Sequence, residues 1–191
     1  MPATIGVVAL QGAFRRHAEV LADLGATAVE VRTPDGLRGV DAVVLPGGES
    51  TTMSALLDSA GLREPLSDRL AGGMPALGTC AGMILLASEV LDGRPDQVPL
   101  GAVDISVRRN AFGRQRESFE ADLDVADLPG GPLPAIFIRA PVVTRVGSGV
   151  EVLAEVGSGP VLCRAGAVTV ASFHPELGDD RRLHERFLKE T

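Results

Sequence analysis

Short apolar segments alternate with amphipathic ones along the first half of the chain, and this alternation constrains the fold more than any other feature of the sequence. Apolar segments rich in β-branched residues predict strands at 4–10, 26–32, 41–45 and 75–79. Apolar residues at helical spacing predict helices at 12–24, 50–59, 61–70 and 81–90. Parallel strands are joined through helices that cover both faces of the sheet. The alternation therefore predicts a three-layer α/β/α fold with a mostly parallel central sheet.

The second half is β-rich from Leu100 onward. Apolar segments between Gly or Pro residues predict strands at 103–108, 118–125, 135–138, 151–156, 161–164 and 167–173. A closing amphipathic helix is predicted at 179–189, because Leu183, Phe187 and Leu188 share one side of it. We expect this half of the fold to be more antiparallel. With 191 residues, no repeat and no linker, residues 1–191 are expected to form a single domain.

Charge and cysteine content limit the binding partners and the cellular compartment that we expect for this protein. The net charge is −7, from 18 basic and 25 acidic side chains, and the basic residues are scattered, which argues against nucleic acid as a partner. No apolar run approaches the roughly 20 residues that span a bilayer, and no basic segment precedes the first strand. We therefore expect a cytoplasmic protein without a membrane partner. A reducing compartment keeps Cys80 and Cys163 as thiols.

The segment Gly78-Thr79-Cys80-Ala81-Gly82 falls between a predicted strand and a predicted helix. The Gly-x-Ser-x-Gly nucleophile elbow occupies the same context, and its strained turn needs small residues on both sides of the nucleophile. A thiol at a helix N-terminus is also more easily ionised. A buried structural cysteine is the alternative interpretation. The two glycines and the strand-to-helix position favour Cys80 as a catalytic nucleophile.

A base and an orienting carboxylate are available in Phe173-His174-Pro175-Glu176, which ends a predicted strand. Pro175 disfavours helical backbone at His174 and restricts its own φ, so the segment stays extended. Residues two apart in such a segment project to the same side, which lets Glu176 reach the imidazole of His174. Alone, the tripeptide is weak evidence, since a lone His is more often structural. An elbow cysteine upstream strengthens the catalytic interpretation.

Pro46-Gly47-Gly48-Glu49-Ser50 ends a predicted strand and opens a predicted helix. Glycines there leave backbone N–H groups accessible to a ligand. We assign the amides of Gly48 and Ala81 to an oxyanion hole, where each donor contributes about 3 kcal/mol to stabilising a tetrahedral intermediate. A simple turn and a phosphate-binding loop are the alternatives, although neither established Gly-rich phosphate pattern occurs at a suitable strand end.

With these pieces, the sequence resembles the class I glutamine amidotransferases, and within them the glutaminase subunits of pyridoxal 5′-phosphate synthases. The resemblance covers nearly the whole chain. Its motifs are Val8-Ala9-Leu10-Gln11-Gly12-Ala13, Leu45-Pro46-Gly47-Gly48-Glu49-Ser50-Thr51-Thr52-Met53, Gly78-Thr79-Cys80-Ala81-Gly82, Arg109-Asn110-Ala111-Phe112-Gly113-Arg114-Gln115, Phe119-Glu120-Ala121-Asp122, Phe137-Ile138-Arg139-Ala140-Pro141 and Ser172-Phe173-His174-Pro175-Glu176-Leu177. The elbow and His-Pro-Glu are shared by many amidotransferases, whereas the Arg109 and Phe137 segments point to this subfamily.

The resemblance implies a flavodoxin-like fold and hydrolysis of L-glutamine to L-glutamate and ammonia by Cys80, His174 and Glu176. It implies no cofactor and no metal. It also implies that ammonia passes to a separate synthase subunit within a large hetero-oligomer that makes pyridoxal 5′-phosphate. Residues carried over as substrate-binding are Gly47, Gly48, Glu49, Arg109, Ile138 and Arg139. Gln11 matches a family position near the synthase contact and the oxyanion hole, which makes it a candidate activation switch.

Three remaining residues with reactive or titratable side chains have no motif around them. Cys163 lies in a predicted strand and is expected in the core. His17 and His184 lie on predicted helices, and we expect both on the surface.

Two other functions fit the same residues. One is a different cysteine hydrolase on this fold, such as a γ-glutamyl peptidase or another amidotransferase subunit. The second is an idle subunit that retains the fold for docking, against which the intact Cys80, His174 and Glu176 argue.

Overall fold

A computed structural model describes residues 2–109, 118–157 and 159–191. In chain order, its elements are β1 (Thr4–Val8), α1 (Phe14–Asp23), β2 (Thr27–Val31), a 3-10 turn (Pro34–Leu37), β3 (Ala42–Leu45), α2 (Ser50–Ser59), α3 (Arg63–Ala71), β4 (Ala76–Thr79), α4 (Ala81–Leu86), β5 (Ala87–Val90), β6 (Val103–Arg108), β7 (Ser118–Leu123), β8 (Leu133–Ile138), β9 (Val142–Val146), β10 (Glu151–Val156), β11 (Gly159–Ala165), β12 (Val168–Ala171) and α5 (Arg182–Lys189). Over the described ranges, none of these helices has the length and apolar character needed to cross a membrane.

A seven-stranded sheet forms the centre of the molecule, in the order β10-β11-β12-β4-β3-β1-β2. Neighbours from β12 to β2 are parallel, whereas β10, β11 and β12 are joined by antiparallel pairing. Two smaller sheets, β5-β6-β9 and β7-β8, lie outside it. The mostly parallel sheet and the more antiparallel second half are both confirmed.

Helices pack on both faces of this sheet. On β3, Ala42 and Val44 belong to a cluster with Leu21 of α1 and Phe187 of α5. The alternate β3 residues, Val43 and Leu45, belong to a second cluster that contains side chains of α2, α3 and α4. Because successive strand residues point to opposite faces, the two clusters lie on opposite sides of the sheet. The predicted three-layer arrangement is therefore confirmed.

The parallel strands β12, β4, β3 and β1 are neighbours, and their carboxyl ends meet at one edge of the sheet. Loops that leave this edge carry Gln11 after β1, Gly47 and Gly48 after β3, Cys80 after β4 and His174 after β12. Open α/β sheets place their functional sites at this edge. The strand order therefore brings together residues that are far apart in the sequence.

A third cluster joins the β7-β8 hairpin to β10, β11 and β12, with Phe137 and Phe173 buried in it. The hairpin also holds the loop after β12, because the backbone N–H of His174 donates to the carbonyl oxygen of Ile136 at 2.8 Å. The smaller sheets therefore help to fix the position of His174.

The predicted helix at 81–90 is wrong in its second half. The helix ends at Leu86, and β5 pairs in parallel with β6. An apolar run does not distinguish helix from strand, and here pairing with β6 favours the extended form. The sequence also did not predict β9, which pairs antiparallel with β6. The strand predicted at 135–138 begins two residues after the observed start of β8, because Pro134 disfavours a strand in the sequence. In the structure, Pro134 lies opposite Asp122 in the hairpin.

Candidate active site

Cys80 lies on a strained turn between β4 and α4. Its φ of 50° and ψ of −105° place a residue with a side chain in the left-handed half of φ space, which costs about 1–3 kcal/mol. The flanking glycines are required sterically. A Cβ on Gly78 would lie 2.8 Å from the carbonyl oxygen of Gly82, and a Cβ on Gly82 would clash with the carbonyl oxygen of Leu45. This is the geometry of a nucleophile elbow.

His174 and Glu176 interact directly in the loop after β12. Nδ1 of His174 lies 2.7 Å from Oε1 of Glu176. Glu176 is fully buried and His174 is 8% exposed. Burial raises the pKa of Glu176, but the hydrogen bond with His174 and the electrostatic effects of the His17 and His174 rings outweigh it, so the net shift is downward. The carboxylate therefore stays ionised and fixes the orientation of the imidazole.

His174 and Cys80 line the same pocket, and Cys80 shifts the pKa of the imidazole. Burial lowers the pKa of His174, but the contacts with Cys80 and Glu176 raise it to about 10. At neutral pH the imidazole is therefore cationic. A sulfur nucleophile, an imidazolium and a carboxylate in series can carry out acyl transfer.

These groups line a pocket of about 400 Å³. Its lining residues are Gln11, Gly48, Glu49, Ser50, Cys80, Ile84, Arg109, Ile138, Arg139 and His174. The structure thus brings the predicted nucleophile and base together with most of the predicted substrate-binding residues. Ser50 and Ile84 were not predicted as site residues from the sequence.

Gly47 and Gly48 lie close to the reactive groups. A Cβ on Gly47 would lie 2.5 Å from Cε1 of His174 and 3.4 Å from Cβ of Cys80. A Cβ on Gly48 would clash with Oε1 of Gln11. That oxygen accepts a hydrogen bond of 2.8 Å from the backbone N–H of Glu49. Gln11 therefore contacts the backbone next to the amide of Gly48, one predicted oxyanion donor. The other predicted donor, Ala81, is the first residue of α4, where N–H groups lack intrahelical acceptors.

Glu49 caps the N-terminus of α2. Its carboxylate accepts hydrogen bonds from the backbone N–H groups of Thr51 and Thr52, at 3.1 and 2.7 Å, and from the Thr52 hydroxyl. Partial burial raises the pKa of Glu49, but the hydrogen bonds from Thr52 and Thr51 lower it to about 2. Glu49 is therefore an anion at the pocket wall, suited to an ammonium group of a ligand.

Arg109 is held against the pocket by α2 and the loop after β5. Its Nη1 donates to Oγ1 of Thr51 at 2.7 Å and to Oε1 of Gln97 at 3.0 Å. Its Nη2 lies 3.7 Å from Glu49. Thr51 occurs in the quoted motif without an assigned role, and Gln97 has no sequence signal. The rest of the Arg109 motif, residues 110–115, lies outside the described residues.

Ile138 and Arg139, at the end of β8, form part of the pocket wall. The Sγ of Cys80 lies 3.9 Å from the carbonyl oxygen of Ile138. Arg139 has a φ of 43°, and residues with side chains that occupy the left-handed region cluster at functional sites. Its guanidinium supplies a cation suited to a carboxylate.

The prediction that His17 and His184 lie on the surface is wrong, because both are fully buried. His17 Nδ1 lies 3.0 Å from Nε2 of His184, and His17 Nε2 lies 3.3 Å from Oε2 of Glu176. The sequence contained the signal. His17 is three residues after Phe14 and four before Leu21, so the apolar stripe of α1 includes it.

Cys163 is buried in β11, as predicted. Burial, together with the charge of Glu155, raises the pKa of its thiol to about 11. At neutral pH it is therefore an unreactive thiol.

Comparisons with known proteins identify the family of this chain. A model described as the SNO glutamine amidotransferase family matches residues 7–191. The pyridoxal 5′-phosphate synthase subunit PdxT of Acidothermus cellulolyticus is 58% identical over 189 residues, covering 96% of this chain and 91% of that protein. The PdxT subunit of Rhodococcus jostii is 56% identical over 191 residues, covering 96% of this chain and 95% of that protein. A crystal structure of a glutamine amidotransferase matches with a TM-score of 0.92 and 51% identity over 97% of both chains. The chain belongs to the SNO glutamine amidotransferase family.

Proposed function

We propose that this protein hydrolyses L-glutamine to L-glutamate and ammonia, with Cys80 as nucleophile, His174 as acid and base, and Glu176 as the residue that orients His174. The observation that carries this proposal is that Cys80 and His174 meet at one pocket while His174 is hydrogen-bonded to Glu176. Membership of a glutamine amidotransferase family supports glutamine as the substrate.

The Cys80 sulfur attacks the side-chain amide carbon of glutamine. Because His174 already carries the proton, it donates to the departing nitrogen and ammonia leaves. The neutral imidazole then takes a proton from water, which attacks the thioester and releases glutamate. Glu176 stays ionised throughout and stabilises the imidazolium.

The amides of Gly48 and Ala81 receive the developing oxyanion in this proposal. Gly48 lies in the loop after β3, and Ala81 is the first residue of α4, directly after Cys80. Glu49 and Arg109 differ in charge and lie on one side of the pocket, where they are suited to the α-ammonium and α-carboxylate of an amino acid. Gly47, Ile138 and Arg139 complete the substrate site.

We further propose that the ammonia passes to a synthase subunit that makes pyridoxal 5′-phosphate, within a large hetero-oligomer. The support is the name of the relatives, which are synthase subunits that match over nearly their full length. Gln11 is a candidate activation switch, because its side chain contacts Gly48 and binds the N–H of Glu49. A partner that moved Gln11 would change the backbone of the oxyanion hole.

The chain is proposed to act as a single domain in the cytoplasm. A family match over residues 7–191 and one continuous central sheet support the single domain. A cysteine nucleophile also needs a compartment that keeps thiols reduced.

Replacing Cys80 with Ala tests the chemistry. We expect ammonia release from glutamine to disappear while the circular dichroism spectrum is unchanged, because the site loses only its sulfur. Cys163→Ala is the matched control and should retain activity, since Cys163 lies in the core of β11. Ammonia release by Cys80→Ala would refute the assignment, and faster hydrolysis of γ-glutamyl peptides than of glutamine would redirect it to a peptidase.

Partner dependence is tested by measuring ammonia release with and without the synthase subunit of a PdxT-type complex. We expect low activity for the isolated chain, because Gln11 holds the Gly48–Glu49 backbone in its unpartnered state. Gln11→Ala should change the factor by which the synthase stimulates turnover. Equal turnover in the presence and absence of the synthase would contradict the activation proposal without affecting the glutaminase assignment.

A further inference from the structure

A cluster of buried polar side chains lies behind the proposed active site, on the side of Glu176 away from His174. It contains His17 of α1, Thr79 at the end of β4, Glu176 after β12 and His184 of α5, all fully buried. His17 stands at its centre. Its Nδ1 lies 3.0 Å from Nε2 of His184, and its Nε2 lies 3.1 Å from Oγ1 of Thr79 and 3.3 Å from Oε2 of Glu176.

Both histidines are neutral. Burial lowers the pKa of His17, and the charge of Glu176 only partly offsets it. Burial and the neighbouring His17 lower the pKa of His184 to about 3. Each ring therefore carries one proton, and the arrangement of the protons decides what the cluster does to Glu176.

The contacts favour one arrangement. Within the described residues, Nδ1 of His184 has no hydrogen-bond partner. A proton there would be a buried donor without an acceptor, which is costly. His184 therefore carries its proton on Nε2 and donates to Nδ1 of His17. His17, having accepted at Nδ1, carries its own proton on Nε2, facing Thr79 and Glu176.

We infer that His17 is a positioning residue for the proposed reaction: its ring, oriented by His184, keeps Nε2 3.3 Å from the second oxygen of Glu176 while His174 binds the first. This inference rests on the proposed function only for its kinetic consequence. The 3.3 Å contact is not a hydrogen bond, because Oε2 of Glu176 has no hydrogen-bond partner within the described residues. The interaction is therefore chiefly electrostatic, with the hydroxyl of Thr79 accepting the N–H.

Without His17, Oε2 of Glu176 would lose the N–H dipole that lies 3.3 Å from it. The other charged groups near Glu176 are His174 on its own loop and Arg16 of α1, whose Nε donates to the backbone carbonyl oxygen of Glu176 at 3.1 Å. Arg181 contributes a positive charge near His184. Arg16 contacts the backbone rather than the carboxylate, so His17 is the group that faces Oε2 directly.

The proton arrangement is tested on the unmodified protein by ¹⁵N nuclear magnetic resonance of its histidine rings. We expect His17 to be neutral and protonated on Nε2 from about pH 5 to pH 8. A proton on Nδ1 of His17, or a cationic His17 in that range, would overturn the inference. This measurement requires no substrate, so its outcome is independent of the glutaminase assignment.

The consequence for turnover is tested with His17→Leu, which removes the N–H and keeps an apolar side chain. We expect kcat for glutamine to fall about 10- to 100-fold with little change in KM, by analogy with the loss of outer groups that orient a catalytic ligand. The acid limb of the kcat–pH profile should move to higher pH, because Glu176 loses a stabilising dipole and protonates more easily. His17→Gln places an N–H where Nε2 lies and should restore both.

Val20→Ala is the control for packing alone, because Val20 is a fully buried residue of α1. It should lower the thermal unfolding temperature without moving the acid limb. A His17→Leu variant that folds and keeps the parental kcat and pH profile would refute the positioning role. Absence of glutaminase activity in the parent protein would instead refute the proposed function, leaving the resonance experiment to decide the proton arrangement.

Discussion

The two cysteines are both buried but have different electrostatic surroundings. Cys80 contacts His174, an imidazole whose pKa is raised to about 10 by its contacts with Cys80 and Glu176, against the opposing effect of burial. Cys163 has a pKa raised to about 11 by burial and by Glu155. Sequence context alone separated them, since only Cys80 lies between flanking glycines at a strand-to-helix turn.

Alkylation should therefore be selective. With iodoacetamide at neutral pH, we expect Cys80 to react at least about 100-fold faster than Cys163, because the thiolate is the reacting form and burial raises the pKa of Cys163 to about 11. Peptide mass spectrometry locates the label. A glutamine-like electrophile should give the same selectivity and abolish ammonia release. Equal labelling of both thiols in the folded protein would contradict the electrostatic assignment.

Gly47 is a second position where a single added carbon atom would alter the geometry of the active site. A Cβ there would lie 2.5 Å from Cε1 of His174, so Gly47→Ala should displace the ring. We expect kcat to fall about 100-fold, since displacements of about 1 Å have such effects. Gly149→Ala is the control, because a Cβ at Gly149 meets no atom within 4 Å. Steady-state kinetics compare the two, and unchanged kcat in Gly47→Ala would show that the loop adapts.

At the level of elements, α2 contributes one charge of the proposed substrate site and binds the residue that carries the other. Glu49 is its N-cap, and Thr51 in its first turn binds Arg109 of the segment after β6. Gln97, in the loop after β5, is the third member of this contact and is 8% exposed. The position of Arg109 therefore depends on three segments that are separate in sequence.

Gln97→Leu should loosen Arg109 without touching the reacting groups. We expect KM for glutamine to rise about 10-fold with kcat nearly unchanged, which is the signature of lost uniform binding. Ser59→Ala is the control, because the Ser59 hydroxyl only donates to the carbonyl oxygen of Leu56 at the far end of α2. A Gln97→Leu variant with altered kcat and unaltered KM would place Gln97 in the chemical step instead.

At the level of the whole molecule, burial of His17 and His184 ties stability to pH. The folded pKa values of both histidines are lowered, to about 3 for His184. A histidine in the unfolded chain has a pKa of about 6.5, so below that pH the unfolded chain binds more protons than the folded protein. Stability therefore falls as the pH drops below that value, by about 1.4 kcal/mol per pH unit for each histidine. Glu176, with its lowered pKa, adds a loss as the pH falls further.

His174 acts in the opposite direction. Its folded pKa is raised to about 10, so its contribution to stability is fully present below about pH 6.5 and is lost as the pH rises through about 10.

Urea unfolding at about pH 5 and pH 7 measures the loss of stability at acid pH. We expect His184→Leu to reduce the difference between the two free energies of unfolding by about 2 kcal/mol. An unchanged difference would show that His184 is not the neutral buried group described.

Local patterns predicted most of the elements. The helix at 50–59 and the strands at 103–108 and 151–156 were predicted at their observed bounds, because hydrophobic periodicity and nearby Gly or Pro are sequence-local signals. The strands β5 and β9 were not, because both depend on pairing with β6, and α4 was predicted too long because β5 occupies residues 87–90. A strand whose partner is distant in sequence has no local signature beyond its apolar character.

The sequence by itself determined the parallel α/β architecture and the elbow at Cys80, together with the adjacent His174 and Glu176, because periodicity, flanking glycines and a proline-restricted tripeptide are properties of neighbouring residues. Only the tertiary structure decided that His17 and His184 lie behind Glu176 and that Gln97 holds Arg109. Those contacts join α1 to α5 and the loop after β5 to the end of β6. Such pairings arise from the order of strands in the sheet and from burial, which one-dimensional spacing does not encode.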